Sequence, residues 1–334
     1  MKFAVAALIA SVSCWNGVIY SARAEAGVAT DISALISRMS AAASQSCYMG
    51  TFVRESSGQM ESMRIAHYTE GKDESEKVEF LDGPAREVVR NNEHVAVYLP
   101  AIKTIKLVHR KARKFFPALL TSSPETYLEN YHITLGNMER VAGHECQGML
   151  FEPKDHMRYS RWFCAEQTTG LIIKTNLKDS SGVLLEQMAF TQLSVGKPQV
   201  KRDHTKPSYP DAKQLWRTDA SPLEDLKPTD SGWVISNPPT GFHKIMEVQR
   251  NMPNKSQPVY HQVMTDGLAI VSIFIEPQTP QNKPTMGPSH QGAVNTYISA
   301  VAEHLVTVMG EVPSATVQQI AQSVKLPQVS AGNK

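Results

Sequence analysis

Hydrophobic positions along this 334-residue chain recur with a period of two in some stretches and near 3.6 in others, and each change of period marks an element. From Tyr48 to Arg90, aromatic and β-branched runs are punctuated by Ser57-Gly58 and Asp82-Gly83, as in an antiparallel meander. His94 to Leu107 continues in strand-like residues, interrupted at Pro100. Four more strands are expected: the two arms flanking Lys154-Asp155-His156, then Leu171 to Leu177 and Val183 to Leu193, which Asp179-Ser180-Ser181-Gly182 joins. Leu171, Ile173, Thr175 and Leu177 alternate with Ile172, Lys174, Asn176 and Lys178, predicting one buried and one wet face. Helical spacing occurs twice in this half. Ile32, Leu35, Ile36 and Met39 follow a cap at Asp31, and Ser123-Pro124-Glu125 opens a short helix carrying Tyr127, Leu128 and Tyr131. One large antiparallel sheet with two helices results, able to curl around them or to leave a concave apolar face.

Periodicity fades from Gly196 to about Pro228, where Lys-Pro, Lys-Pro-Ser-Tyr-Pro and Ser-Pro take over. That composition reads as a linker, with Leu215 and Trp216 available to dock part of it. A smaller α+β domain is expected beyond Ser231-Gly232-Trp233. Its surest element is a hairpin, Pro258 to Met264 and Leu268 to Ile275, joined by Asp266-Gly267. Ala293 to Ile298 and Leu305 to Met309 read as strands, with a helix over Tyr297 to Val308 as the competitor. Pro313 can begin a helix with Val317, Ile320, Ala321 and Val324 on one face. Trp233 and Phe242 read as core rather than interface. The fold class is therefore α+β and mostly antiparallel β, divided into 25–195, a linker 196–228, a second domain 229–326 and a tail 327–334.

Residues 1–24 read as a signal peptide: Lys2, an apolar run from Phe3 to Ile9, and a cleavage site at Ala22-Arg23-Ala24. Without Lys2 and Arg23 the 34 basic residues become 32 against 32 acidic, a neutrality that argues against nucleic-acid binding. Export also places the remaining cysteines, Cys47, Cys146 and Cys164, in an oxidising compartment. Cys146 and Cys164 each lie nine residues from Asp155 and face each other in a register centred there, with Gly148 opposite Trp162 and Leu150 opposite Ser160. A disulfide is expected, two separate buried thiols being the alternative, and Cys47 is then a buried free thiol. No Gly-x-Ser-x-Gly, His-Glu-x-x-His or Cys-x-x-Cys occurs, and the eleven histidines are scattered. His144-Glu145-Cys146 cannot close a metal site alone, because neighbours on a strand point to opposite faces. Binding is expected rather than catalysis, with no cofactor.

Five motifs run in order through nearly the whole expected mature chain. They are Tyr48-x-Gly50-Thr51-Phe52-Val53, Arg64-Ile65-x-His67, Leu81-Asp82-Gly83-x-x-Arg86-Glu87-Val88-x-Arg90, Leu185-Glu186-Gln187, and Val306-Thr307-Val308-x-Gly310-Glu311-x-Pro313. Together they resemble the RseB/MucB family of periplasmic regulators of an envelope-stress sigma factor; Cys47 and Met49 depart from the more polar pair expected there. The resemblance implies a first domain similar to LolA and LolB, an open half-barrel with helices in its mouth, and a smaller partner-binding domain. It implies as partner the periplasmic domain of a transmembrane anti-sigma factor (RseA/MucA type), shielded from site-one proteolysis until lipid or lipopolysaccharide loosens the complex. A periplasmic lipid carrier of the LolA type is the alternative, although a simple carrier has no need of the residues after Ser231. The state of association, including a homo-oligomer, stays open.

Within this frame the binding candidates are basic. Arg86 and Arg90 share one face of a strand and could meet a partner carboxylate or pair with Glu87 and Asp82. Lys103, Lys106, Arg110, Lys111, Arg113 and Lys114 form the densest basic run, with no acidic residue between Glu93 and Glu125. That run suits the phosphates of a lipid or an acidic segment, or else a solvated loop balanced by the acidic stretch from Glu70 to Glu79.

Overall fold

The computed structural model describes residues 19–109, 116–197, 199–220, 226–251, 257–279 and 284–326. The meander from Tyr48 onward forms as its turns dictate: β1 (Tyr48–Ser56) and β2 (Gln59–Glu70) meet at Ser57-Gly58, both at positive φ, which matches the twist of the flanking strands. β3 (Asp73–Phe80), β4 (Arg86–Asn91), β5 (His94–Leu99) and β6 (Thr104–His109) follow, with Pro100–Ile102 as a single 3-10 turn. Then come β7 (Tyr131–Val141), β8 (His144–Pro153), β9 (Ser160–Glu166), β10 (Ile172–Lys178) and β11 (Leu184–Val195). A twelfth strand, β12 (Arg217–Asp219), completes a sheet of order β12-β6-β5-β4-β3-β2-β1-β11-β10-β9-β8-β7.

This sheet is open and bent. The His144 ring nitrogen reaches the Leu193 carbonyl at 3.2 Å although two strands separate β8 from β11. Inside the bend lie α1 (Ile19–Gln45) and α2 (Pro124–Asn130), with Ile36, Met39 and Tyr127 packed against Tyr48, Phe52, Ile65, Met149, Phe151 and Phe190. The expected open antiparallel half-barrel with two helices is thus the architecture observed. Asp31 does not cap α1. It lies inside the helix, which is already present at Ile19, because the Ala-rich residues before Asp31 continue the helical preference. Tyr131, expected on the short helix, is the first residue of β7.

The cysteine hairpin forms with a register displaced by two. Cys146 opposes Glu166, Gly148 opposes Cys164 and Leu150 opposes Trp162, so the Cys146–Cys164 disulfide is diagonal, with the Cα atoms 5.4 Å apart. An even displacement leaves both cysteines on one face, so the pairing survives although the direct opposition does not. Cys47 is a buried free thiol. The stretch expected as a linker is largely seated: Val200, Thr205 and Ala212 are buried, β12 pairs in parallel with β6, and Trp216 lies against Tyr98 and Tyr209. Its docking covers Val89, Tyr98 and Ile105 on the outer face of β4 to β6, whereas Leu215 stays exposed.

The second domain is a seven-stranded antiparallel sheet of order β13-β15-β16-β17-β20-β19-β18. Its strands are β13 (Leu226–Pro228), β15 (His243–Arg250), β16 (Val259–Thr265), β17 (Ile270–Pro277), β18 (Gly287–Gln291), β19 (Val294–Val301) and β20 (His304–Gly310). A ribbon of β14 (Val234–Ile235) and β21 (Val324–Lys325) lies beside it. The helix Ser314–Ser323 packs Val317, Ile320 and Ala321 against Trp233, Phe242, Ile273, Val306 and Val308. Tyr297 to Val308 is a hairpin, not a helix, since its residues pair across Ala302-Glu303.

Candidate functional site

Along β4 the side chains alternate as a strand requires. Arg86, Val88 and Arg90 face the concave side, where Val88 joins the core, and Glu87 and Val89 face outward. The register aligns Val88, Val97 and Lys106 across β4, β5 and β6, so Lys106 shares the face of Arg86 and Arg90. Lys103 occupies the turn before β6 at φ 45° and is exposed. Arg110, Lys111, Arg113 and Lys114 lie outside the described residues. Val95, Val97 and Val108 between these cations are half-buried. An apolar strip with a cationic rim results, which suits an amphiphile with an anionic head.

The two arginines differ. Exposed Arg86 lays its guanidinium 3.6 Å from the centre of the Phe80 ring. Arg90 is committed inside the protein, to Glu74 at 2.9 Å and Glu76 at 3.1 Å. Pairing with Glu87 or Asp82 does not occur: Glu87 points outward and accepts the Ser208 N–H at 3.0 Å, and Asp82 accepts the Ser62 N–H at 2.5 Å. Glu74 also meets Nε2 of fully buried His67 at 3.1 Å, while Nδ1 of that ring lies 2.7 Å from the Ser46 carbonyl. Tyr48 stacks on His67 with ring centres 4.9 Å apart; burial, then the Glu76 carboxylate, pushes its hydroxyl well above the ordinary phenol pKa. Motif residues far apart in sequence therefore meet in one buried polar cluster. Gly50 of the first motif is required by space: a Cβ there would lie 2.2 Å from the Gln192 carbonyl oxygen and 2.9 Å from Phe190.

A second constellation, not anticipated from the sequence, lies where the domains meet. The tip of the cysteine hairpin, Asp155 to Tyr159, lies against the second domain, with Arg161 of β9 beside it. Arg158, 4% exposed, donates from Nε to Asp266 at 2.5 Å and also bonds Asp155 and the Thr240 carbonyl, with the Phe242 ring 4.9 Å away. Burial alone would lower the Arg158 guanidinium, but Asp155 and Asp266 outweigh it and hold its pKa above the ordinary value. Asp266 is fully buried; it accepts the Tyr131 hydroxyl at 2.8 Å and the N–H groups of Leu268 and Ala269, which close the β16–β17 turn. Gly241, at φ +81°, permits the approach, since a Cβ there would sit 2.0 Å from Asn130 Oδ1. The seam continues through Tyr159 to Asn295 at 2.8 Å, Thr316 to the Met157 carbonyl at 2.7 Å, and Arg161 to Glu311 at 3.6 Å. Glu186, buried beside Arg54 at 2.6 Å, has its carboxyl pushed up by burial and then by Glu311, against the pull of Arg54. Sequence offered a signal for Glu186 and Glu311, which stand in the motifs. For Asp266 it showed only a turn, and for Arg158 nothing.

Among the described residues no group of three or more His, Cys, Asp or Glu could hold a metal, and no helix is long and apolar enough to cross a membrane. Comparison with known proteins places this geometry. Residues 31–209 match the MucB/RseB N-terminal domain and residues 227–325 the MucB/RseB C-terminal domain. The sigma factor AlgU regulatory protein MucB of Pseudomonas aeruginosa is 28% identical over 315 residues, covering 91% of this chain and 93% of that one. The crystal structure of MucB in complex with MucA(peri) superposes with a TM-score of 0.71 at 26% identity, over 90% of this chain and 100% of the other. A second structure, the crystal structure of MucB, gives 0.63 at 26% identity, over 90% and 98%. With both domain models matched in order, and together spanning most of its length, the chain belongs to the MucB/RseB family.

Proposed function

We propose that this chain is a periplasmic regulator that binds the periplasmic segment of a transmembrane anti-sigma factor, shields it from site-one proteolysis and releases it on binding lipid or lipopolysaccharide. It acts by binding, without catalysis, and residues 1–24 export it. The observation that carries this reading is the two-domain match along the chain, joined to the superposition on a MucB that holds MucA(peri). The ligand end of the proposal falls to the concave strip of β4 to β6. There Val88, Val97 and Val108 would take acyl chains, and Arg86 and Lys106, with the basic run up to Lys114, would meet phosphate. A ligand releases the partner only as far as it prefers the unbound regulator, so the two affinities must oppose each other.

The test uses the chain from Glu25 onward and the purified periplasmic segment of its anti-sigma factor. A complex at micromolar concentration, slower cleavage of the segment by the site-one protease, and dissociation on adding lipopolysaccharide are expected. Lipid binding without any complex would favour the LolA-type carrier.

A further inference from the structure

We propose that Arg158 is a positioning residue for partner binding: seated on Asp266, it latches the second domain onto the first in the arrangement that holds the partner. The inference rests on the function proposed above, but the latch itself stands on geometry. Arg158 belongs to the β8–β9 hairpin and Asp266 to the β16–β17 turn, and both are almost wholly removed from solvent. Separating the domains would strip buried Asp266 of both Arg158 and Tyr131 and leave Arg158 with Asp155 and Asn130 alone, so a partly opened seam is disfavoured over a closed or a fully open one. Coupling between a ligand in one domain and a partner on the other requires two discrete arrangements of the seam, and the latch would set the balance between them.

Everything around the pair serves closure. The disulfide Cys146–Cys164 ties the two arms of the hairpin whose tip carries Arg158. Asp266 is held by the backbone N–H groups of its own turn and by Tyr131, so it is presented to Arg158 in one orientation. Gly241 lets the second domain close down on Asn130. The chain superposes on the structure of MucB in complex with MucA(peri) with a TM-score of 0.71 over 90% of its length.

Three variants of the mature chain test the latch: R158Q, D266N and G241A. In D266N the amide oxygen of the new side chain can still accept the turn N–H groups, and Gly241→Ala wedges the same seam without altering a charge. Small-angle X-ray scattering reads domain separation, circular dichroism reads the fold of each domain, and calorimetry reads affinity for the anti-sigma segment. Expected are a larger radius of gyration at unchanged circular dichroism and at least a tenfold loss of affinity in every variant. The R158Q/D266N double variant should be no weaker than the worse single one, because both remove the same contact. Wild-type scattering in all three variants, or open scattering with wild-type affinity, would overturn the inference. If the wild-type chain does not bind the segment, the proposed function falls and the link to the partner with it, whereas scattering still decides whether the latch exists.

Discussion

Taking the protein from pH 7 to about pH 5 tests the state of His261. This residue lies on β16 with 8% of its surface exposed, its ring stacked on Phe274 at 4.3 Å between centres and 12° between planes. Arg250 approaches Nδ1 at 3.4 Å, and Nε2 is buried with no hydrogen-bond partner among the described residues. A proton would add charge in a desolvated place beside a guanidinium. Burial first, and Arg250 second, accordingly lower its pKa from 6.5 to about 4. The unfolded chain takes up the proton near 6.5 and the folded chain only near 4. The stability tied to this group is thus complete above about pH 6.5 and is lost as the pH falls through about 4. The gap is worth roughly 3 kcal/mol at its limit, of which about 2 kcal/mol is gone by pH 5. Urea unfolding at both pH values measures the loss, and His261→Phe, which keeps the stack but cannot titrate, should be less sensitive to acid by about 2 kcal/mol. If the His261 ring titrates near 6 by NMR, or if the Phe variant loses as much stability as wild type, the reasoning fails.

Replacing Cys146 and Cys164 together by serine should cost about 3 kcal/mol in the chain-entropy model for a closure of this length, read by urea unfolding; a loss under about 1 kcal/mol would show that the staple is idle. Gly50→Ala should destabilise by roughly 3 kcal/mol or prevent accumulation, as the Gln192 carbonyl it meets is backbone and cannot rotate away. Gly136→Ala, whose Cβ would meet nothing nearer than 3.5 Å, is the tolerated control. The raised carboxyl of Glu186 contributes stability that is present at low pH and lost as the pH rises through its folded pKa. Relative to Glu186→Gln, wild type should therefore gain stability on going from pH 7 to 5, and a relative loss would contradict the assignment.

Legibility followed the range of the forces involved. Elements with strong alternation or helical spacing, such as the Leu171 to Leu177 strand, the β16–β17 hairpin and the helix after Pro313, could be read from neighbours a few residues apart. β7 and β15 could not. The first is interrupted at Gly136-Asn137 by a register shift that breaks its alternation, and the second mixes His243, Lys244, Glu247 and Arg250 with its apolar residues. For the site, Arg86, Arg90 and Lys106 were legible as cations on strands, but that Arg90 is spent on Glu74 and Glu76 depends on the pairing of β3 with β4.

The sequence by itself determined the strand-rich, two-helix first domain, the smaller second domain, the cysteines that pair and the family, because period, turn chemistry and ordered motifs are local properties of the chain. Tertiary structure alone decided the diagonal of the disulfide, the docking of 199–219 on the outer face, the cluster of Tyr48, His67 and Arg90, and the seating of Arg158 on Asp266, 108 residues away in the chain. Each of these depends on which surfaces close on one another, and closure is selected by burial of distant apolar faces and pairing of buried charges, neither of which leaves a periodic trace in sequence.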